Sequence, residues 1–231
     1  MKKVDHKPSK RFKEVESLID KKKTYTIEEA VELAKKSSTV KFDATVEAHV
    51  RLSINTKKTD QQIRSSVSLP HGSGKTVRVA VISTSGDQQK AAKAAGADLA
   101  GETDIIEQIK AGKIDFDVLV ATPEAMKLMA PVAKILGPKG LMPNPKDGTV
   151  SANAAEAVAN LKKGKVSYKN DDSGNLHVGI GKASFDGAKL VENFKALLDS
   201  VAKAKPSSVK GTYIKSISIS TSMGPGIRVS I

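Results

Sequence analysis

At 231 residues the chain has room for one large domain or two small ones. It carries 38 Lys and Arg against 25 Asp and Glu, a formal net charge of +13 and a pI near 9.7, a balance that suits a polyanionic partner such as nucleic acid or an anionic surface. The absence of cysteine excludes disulfides, thiolate zinc sites and cysteine nucleophiles and fits a cytosolic protein; no apolar run approaches the roughly 18 residues of a membrane span.

Residues 1–23 are rich in Lys, including Lys10-Arg11 and Lys21-Lys22-Lys23, and read either as a basic arm or as a short amphipathic helix through Val15, Leu18 and Ile19. Thr26 with Glu29 forms a capping box that starts a helix through Ile27, Ala30, Val31 and Ala34. In residues 45–54, Val46, Ala48, Val50, Leu52 and Ile54 alternate with polar residues, which predicts a strand with one buried and one wet face. His49 falls on the wet face as a solvated residue. The stretch Leu69–Thr76 contains Gly72-Ser73-Gly74-Lys75-Thr76 but lacks the earlier glycine of a phosphate-binding loop. A strand, Val77–Ile82, follows it instead of a helix, so nucleotide binding is not expected.

From 77 to 159 short apolar strands alternate with helices: the strand Val77–Ile82, helices over 87–95 and 104–110, the strand Val118–Ala121, and a helix over 124–136 behind Pro123. This pattern predicts a small Rossmann-like α/β layer, without the glycine fingerprint of dinucleotide binding. Gly137–Lys146 holds three prolines and two glycines between lysines; a phosphate loop is conceivable there, and a structural elbow is the plainer reading. A helix over 152–162 precedes a hairpin of Lys165–Lys169 with Leu176–Ile180, which sets His177 on a polar face. Leu190, Val191, Phe194, Leu197, Leu198 and Val201 make 187–203 an amphipathic helix of core-packing type, so no membrane partner is expected. A strand over Thr212–Ser222 then turns at Met223-Gly224-Pro225-Gly226 into a last strand, Ile227–Ile231.

Long alternating strands at both ends and a different style between them predict an α/β protein of two domains. Residues 1–67 with 160–231 form a split α+β domain with a mainly antiparallel sheet, and 68–159 form an inserted α/β domain. Charge follows the same division. Residues 68–159 hold ten Lys/Arg and ten Asp/Glu, whereas 1–67 hold 16 against 10 and 160–231 hold 12 against 5. Affinity for a polyanion comes mostly from Lys and Arg releasing counterions, so the split domain is expected to supply it. Its two polar strand faces offer Ser hydroxyls, Arg51 and Lys215, which suit sugar hydroxyls and phosphates better than duplex bases and favour RNA. No nucleophile with its base, metal cluster or true nucleotide loop is present, so no enzyme activity and no cofactor is expected.

Several stretches, in order and spacing, resemble the family of bacterial large-subunit ribosomal protein one. They are Lys41-Phe42-Asp43-Ala44-Thr45-Val46-Glu47, Gly137–Lys146, Lys182-Ala183-Ser184-Phe185, Lys210-Gly211-Thr212-Tyr213 and Thr221-Ser222-Met223-Gly224-Pro225. The resemblance implies one domain inserted in another and binding to large-subunit rRNA in a mobile stalk that contacts tRNA leaving the exit site. It also implies repression of the protein's own operon through an mRNA element mimicking the rRNA site, and a monomer off the ribosome. Carried over by motif, the RNA contacts are Lys41, Phe42, Glu47, Thr221, Ser222, Met223 and Gly224. Ser222 stands where the family pattern usually has Thr; the hydroxyl is kept and a methyl is lost. Gly224 lets backbone approach RNA closely, and the Thr221 and Ser222 hydroxyls can bond a 2′-hydroxyl.

Overall fold

The computed structural model describes residues 9–20 and 22–230. The first half of the chain forms α1 (Lys10–Glu16), α2 (Ile27–Ser37), β1 (Thr45–Leu52), β2 (Arg64–Ser68), β3 (Val79–Ile82), α3 (Gly86–Ala94), β4 (Leu99–Gly101) and α4 (Thr103–Lys110). The second half forms β5 (Val118–Ala121), α5 (Ala125–Leu128), α6 (Ala133–Leu136), α7 (Ala154–Lys162), β6 (Lys165–Lys169), β7 (Asn175–Lys182), α8 (Gly187–Lys203), β8 (Ile214–Thr221) and β9 (Ile227–Val229). The fold is a mixed α/β one with both antiparallel and parallel sheets. Its contacts gather into two compact units, residues 1–63, 69–74 and 168–231 in one, and 64–68 and 75–167 in the other.

The first unit is built on an antiparallel sheet of order β7-β1-β8-β9. Alternation in β1 buries Val46, Ala48, Val50 and Leu52, and the register sets Ala48 between Val178 of β7 and Ile219 of β8, so all three strands bury the same face. Helices α2 and α8 cover that face. Leu190, Phe194, Leu197 and Val201 of α8 and Ala30, Val31 and Ala34 of α2 are buried. The capping box forms as expected: Glu29 N–H donates to Thr26 Oγ1 at 3.3 Å and Thr26 N–H to Glu29 Oε2 at 3.2 Å. Gly181 lets α8 pack closely on β7: a Cβ there would lie 2.6 Å from Leu190 Cδ2, and that buried side chain would have to shift. The other face carries Glu47, His49, Arg51, His177, Ser216, Ser218, Ser220 and Arg228.

The second unit has the parallel sheet β4-β3-β5. Both its faces are buried, one under Ile105, Ile109, Met129 and Leu136, the other under Val158, Leu161 and Ala92. That is why β3 and β5 read as continuous apolar runs rather than alternating ones. Gly137–Lys146 is an elbow closed by its own bonds. Gly140 has φ +70°, Leu141 N–H donates to Leu136 O at 3.1 Å, and Asn144 Oδ1 accepts from Lys146 N–H at 2.9 Å. Just beyond it, buried Asp147 accepts from Arg64 Nε at 2.9 and 3.0 Å.

The structure corrects several expectations. Pro131, lacking an N–H, breaks the continuous helix expected over 124–136 into α5, a 3-10 turn (Ala130–Val132) and α6. The hairpin between β6 and β7 does not form: β6 pairs with β2 and β7 with β1. The loop between them is knotted locally, with Asp171 Oδ1 accepting the amides of Ser173 and Asn175 at 2.9 and 2.6 Å, and β1 offers β7 a matching apolar face. Strand β4 lay unseen because three residues carry no periodicity. Of the two readings for the N-terminus, 10–16 is a helix with Val15 buried; residues 1–8 and Lys21 of the basic stretch lie outside the described residues. The loop that imitates a phosphate loop is held by a buried side chain, Asn193 of α8. Asn193 accepts from His71 N–H at 3.1 Å and donates to Gly72 O at 2.9 Å and Ile180 O at 2.8 Å.

By these units the charge divides less sharply than the expected boundaries implied: 24 Lys and Arg against 15 Asp and Glu in the first, 14 against 10 in the second. The difference arises because Arg64, Lys162, Lys163 and Lys165 belong to the second unit. Two of these already face carboxylates, Arg64 that of Asp147 and Lys162 that of Asp98 at 2.9 Å.

Candidate nucleic-acid interface

Strands β1 and β8 are antiparallel with Val46 opposite Thr221, so the loop entering β1 and the turn leaving β8 meet at one end of the sheet. Two bonds lock them: Thr45 N–H donates to Ser222 Oγ at 3.1 Å and Ser222 N–H to Thr45 O at 3.0 Å. Arg11 of α1 spans both loops, donating from Nη1 to Thr39 Oγ1 at 3.3 Å and from Nη2 to Met223 O at 3.2 Å. Asp43 ties the first loop to Ser184, accepting from its N–H at 3.1 Å and its hydroxyl at 2.8 Å. Phe42 and Met223 stand on this frame with 57% and 68% of their surface exposed. Both are large apolar side chains held in water by this bonded frame. Met223 also has φ +64°, a left-handed conformation that costs a non-glycine residue on the order of 1 kcal/mol or more.

The other sequence-predicted residues fall around this pair. Lys41 is exposed beside Phe42, and Glu47 is half-buried on the open sheet face. Gly224 N–H donates to Thr221 O at 2.8 Å to close the turn, and a Cβ on Gly224 would run into Thr221 Oγ1. The two hydroxyls differ from expectation. Thr221 is buried and its Oγ1 lies under the turn with no partner among the described residues, while Ser222 Oγ is engaged by the Thr45 amide. Both therefore shape the turn rather than stand on its surface as free donors. The cause is the alternation of β8, which turns residue 221 inward.

His49 is not the solvated residue expected. The register places it opposite His177, with the two Nδ1 atoms 2.7 Å apart, and its Nε2 lies 2.8 Å from Ser220 Oγ. An Nδ1···Nδ1 contact needs one nitrogen protonated and the other bare, so the pair rejects a second proton. Burial, with His177 beside it, holds the His49 imidazole below its ordinary range, and Glu47 opposes the shift. The unfolded chain therefore binds more protons here than the folded one. This contribution to stability is fully present above about pH 6.5, the ordinary histidine value, and is lost as pH falls through the lowered folded value. An imidazole NMR titration is expected to show His49 titrating below the ordinary histidine range. His177→Gln should move it back upward, and Glu47→Gln should move it further down. No upward movement in His177→Gln would refute the pairing.

Sequence reasoning missed Arg11 as the clasp of the two loops, because its partners lie 28 and 212 residues away. A histidine pair separated by 128 residues gives no local signal either. Among the described residues no three His, Cys, Asp or Glu side chains gather as a metal site, and no helix is long and apolar enough to cross a membrane.

A profile of the ribosomal protein L1p/L10e family matches residues 33–225. The protein named Large ribosomal subunit protein uL1 of Thermosipho melanesiensis is 53% identical over 225 residues, which covers 97% of this chain and 97% of that protein.

Proposed function

The chain belongs to the ribosomal protein L1p/L10e family, a large-subunit ribosomal protein that binds rRNA and is not an enzyme, and from that premise we propose that Phe42 and Met223 lead its grip on RNA. The observation that carries this reading is the exposure of both side chains on two loops that Arg11, Thr45 and Ser222 lock together. Phe42 and Met223 lie against a base or sugar face, which excludes water and favours stacking over phosphate attraction alone. Lys41 neutralises a neighbouring phosphate. Glu47 accepts from base amino groups or 2′-hydroxyls, the one favourable use of a carboxylate against a polyanion. Thr221, Ser222 and Gly224 set the turn so that backbone comes close to the strand.

On this reading the first unit is the RNA-binding domain and the second an inserted domain that it carries. In the ribosome the protein forms a mobile stalk beside the exit site and assists release of deacylated tRNA. Free of the ribosome it acts as a monomer that represses its own operon, because the same loops take an mRNA element shaped like the rRNA site.

Crosslinking in growing cells, followed by sequencing of attached RNA and mapping of attached peptides, tests each part. Large-subunit rRNA and the operon's own message should be recovered on peptides containing Phe42 and Met223, and tRNA should be recovered in ribosome-bound samples. Crosslinks confined to peptides of residues 75–167 would refute the assignment of the interface.

A further inference from the structure

At the end of the open sheet face remote from Phe42 and Met223, Arg51, Lys215 and Arg228 surround a concavity of about 510 Å³. Thr24, Ser216 and Ser230 add hydroxyls to its wall. The register explains how three strands deliver these groups to one place. Arg51 of β1 lies opposite Ser216 of β8, and Ser218 of β8 lies opposite Arg228 of β9.

Lys215 reaches the same face only through an irregularity. The pairing of β1 with β8 slips by one residue between Arg51 and Leu52, where Ser216 pairs with Arg51 and Ile214 with Leu52, leaving Lys215 as the extra residue. Strict alternation from Ser216 and Ser218 would send Lys215 to the helix-covered face. Instead residues 215 and 216 are both exposed, in a strand that otherwise alternates. A bulge re-aims a side chain in this way, and this one brings a lysine beside an arginine.

Three cations in one hollow repel one another unless an anion joins them. No carboxylate lines the concavity, and among the described residues none of the three side chains forms an ion pair or a side-chain hydrogen bond. Asp20 shares a separate small hollow with Arg228, and its Oδ1 accepts from Lys22 N–H at 2.9 Å. The apolar contributions are Ile217 and Val229, with no aromatic ring on which a base could stack. Guanidinium forks, an ammonium and hydroxyl donors without a stacking surface select phosphate oxygens rather than bases.

We propose that Arg51, Lys215 and Arg228, with Ser216, form a pocket for a backbone phosphate of the RNA strand whose other part meets Phe42 and Met223. The proposal rests on the reading that this open sheet face binds rRNA. Glu47 and Arg51 are four residues apart on one strand, so the pocket lies about 13 Å along the sheet from the Glu47 level. The RNA would therefore follow β1 across the sheet instead of ending at the loops.

The test is a salt series of binding to an rRNA fragment, comparing wild type, single Gln substitutions at the three positions, the triple variant R51Q/K215Q/R228Q, and Met223→Gly. All are surface changes, and circular dichroism with thermal melting confirms folding. The triple variant is expected to lower the slope of log K against log salt by about 0.7 to 0.9, the release tied to one phosphate, and each single variant by less. Met223→Gly should weaken binding at every salt concentration with its slope unchanged. A triple variant with the wild-type slope, alongside a weakened Met223→Gly, overturns the pocket and leaves the RNA-face reading standing. Wild-type binding by both variants overturns that reading as well. Inorganic phosphate serves as the separate probe, followed at the arginine Nε–H signals. Tight saturation by phosphate in a protein whose triple variant keeps its RNA slope would make the ligand a free anion and overturn the assignment to RNA.

Discussion

Met223→Gly is expected to weaken rRNA binding by about 2 kcal/mol, roughly thirtyfold, without lowering the melting temperature. The two readouts separate because of where Met223 sits. Its side chain is 68% exposed and buries little apolar area in the free protein, so truncation costs the fold almost nothing. Its φ of +64° is a conformation that glycine adopts freely, so the substitution relieves backbone strain. On the proposed reading, what is lost is the contact with RNA. Gly224→Val is expected to lose as much affinity or more for a different reason: a Cβ collides with Thr221 Oγ1 beneath the turn, and the Arg11 and Ser222 bonds that hold the loops must shift. Binding isotherms with a melting curve for each variant decide the matter. A Met223→Gly protein that binds like wild type removes Met223 from the interface.

Asn193→Ala is expected to destabilise the first unit by about 3 kcal/mol while leaving RNA affinity of the folded protein unchanged. Asn193 is fully buried on α8 and makes three bonds, to His71 N–H, Gly72 O and Ile180 O. Removing its amide leaves three backbone groups to find new partners in a closed space, each worth about 1 kcal/mol or more. A midpoint drop in urea unfolding measures it. A loss under about 1 kcal/mol would mean that water reaches these groups and that the loop over 69–74 is not held by Asn193.

What the sequence made legible followed strictly local rules. Alternation in β1 and β8, the Thr26–Glu29 box and the apolar stripe of α8 each lie within one element and needed no knowledge of neighbours. Partnerships were harder. The run Lys165–Lys169 looks like half of a hairpin because the turn after it is rich in Asn, Asp and Gly, yet β7 finds its match in β1, far upstream. Pro131 breaks the helix although the apolar spacing around it runs on without interruption. For the candidate interface, composition alone assigns Phe42 to the core, where most phenylalanines belong, and the resemblance alone places it outside. The Thr221 hydroxyl was misjudged in the opposite sense: a polar atom was expected on the surface, and strand alternation turned it under. The bulge at Lys215 and the His49–His177 pair depend on register, which no stretch of a single strand encodes.

The order of strands in the first unit has a consequence for synthesis. Strand β1 leaves the ribosome early, yet both its neighbours, β7 and β8, come from the last third of the chain, and the Arg11–Met223 bond joins residues 212 positions apart. At roughly 5 to 20 residues per second, the start of the chain waits on the order of ten seconds or more for the strands that complete it. A nascent chain therefore emerges with its lysines before the Arg11–Met223 bond and the sheet around β1 can form. On the proposed reading it meets RNA first as a loose polycation, and selectivity comes only with the final residues. On that same proposed reading, feedback on its own message is exerted by finished molecules and counts completed protein rather than translation in progress.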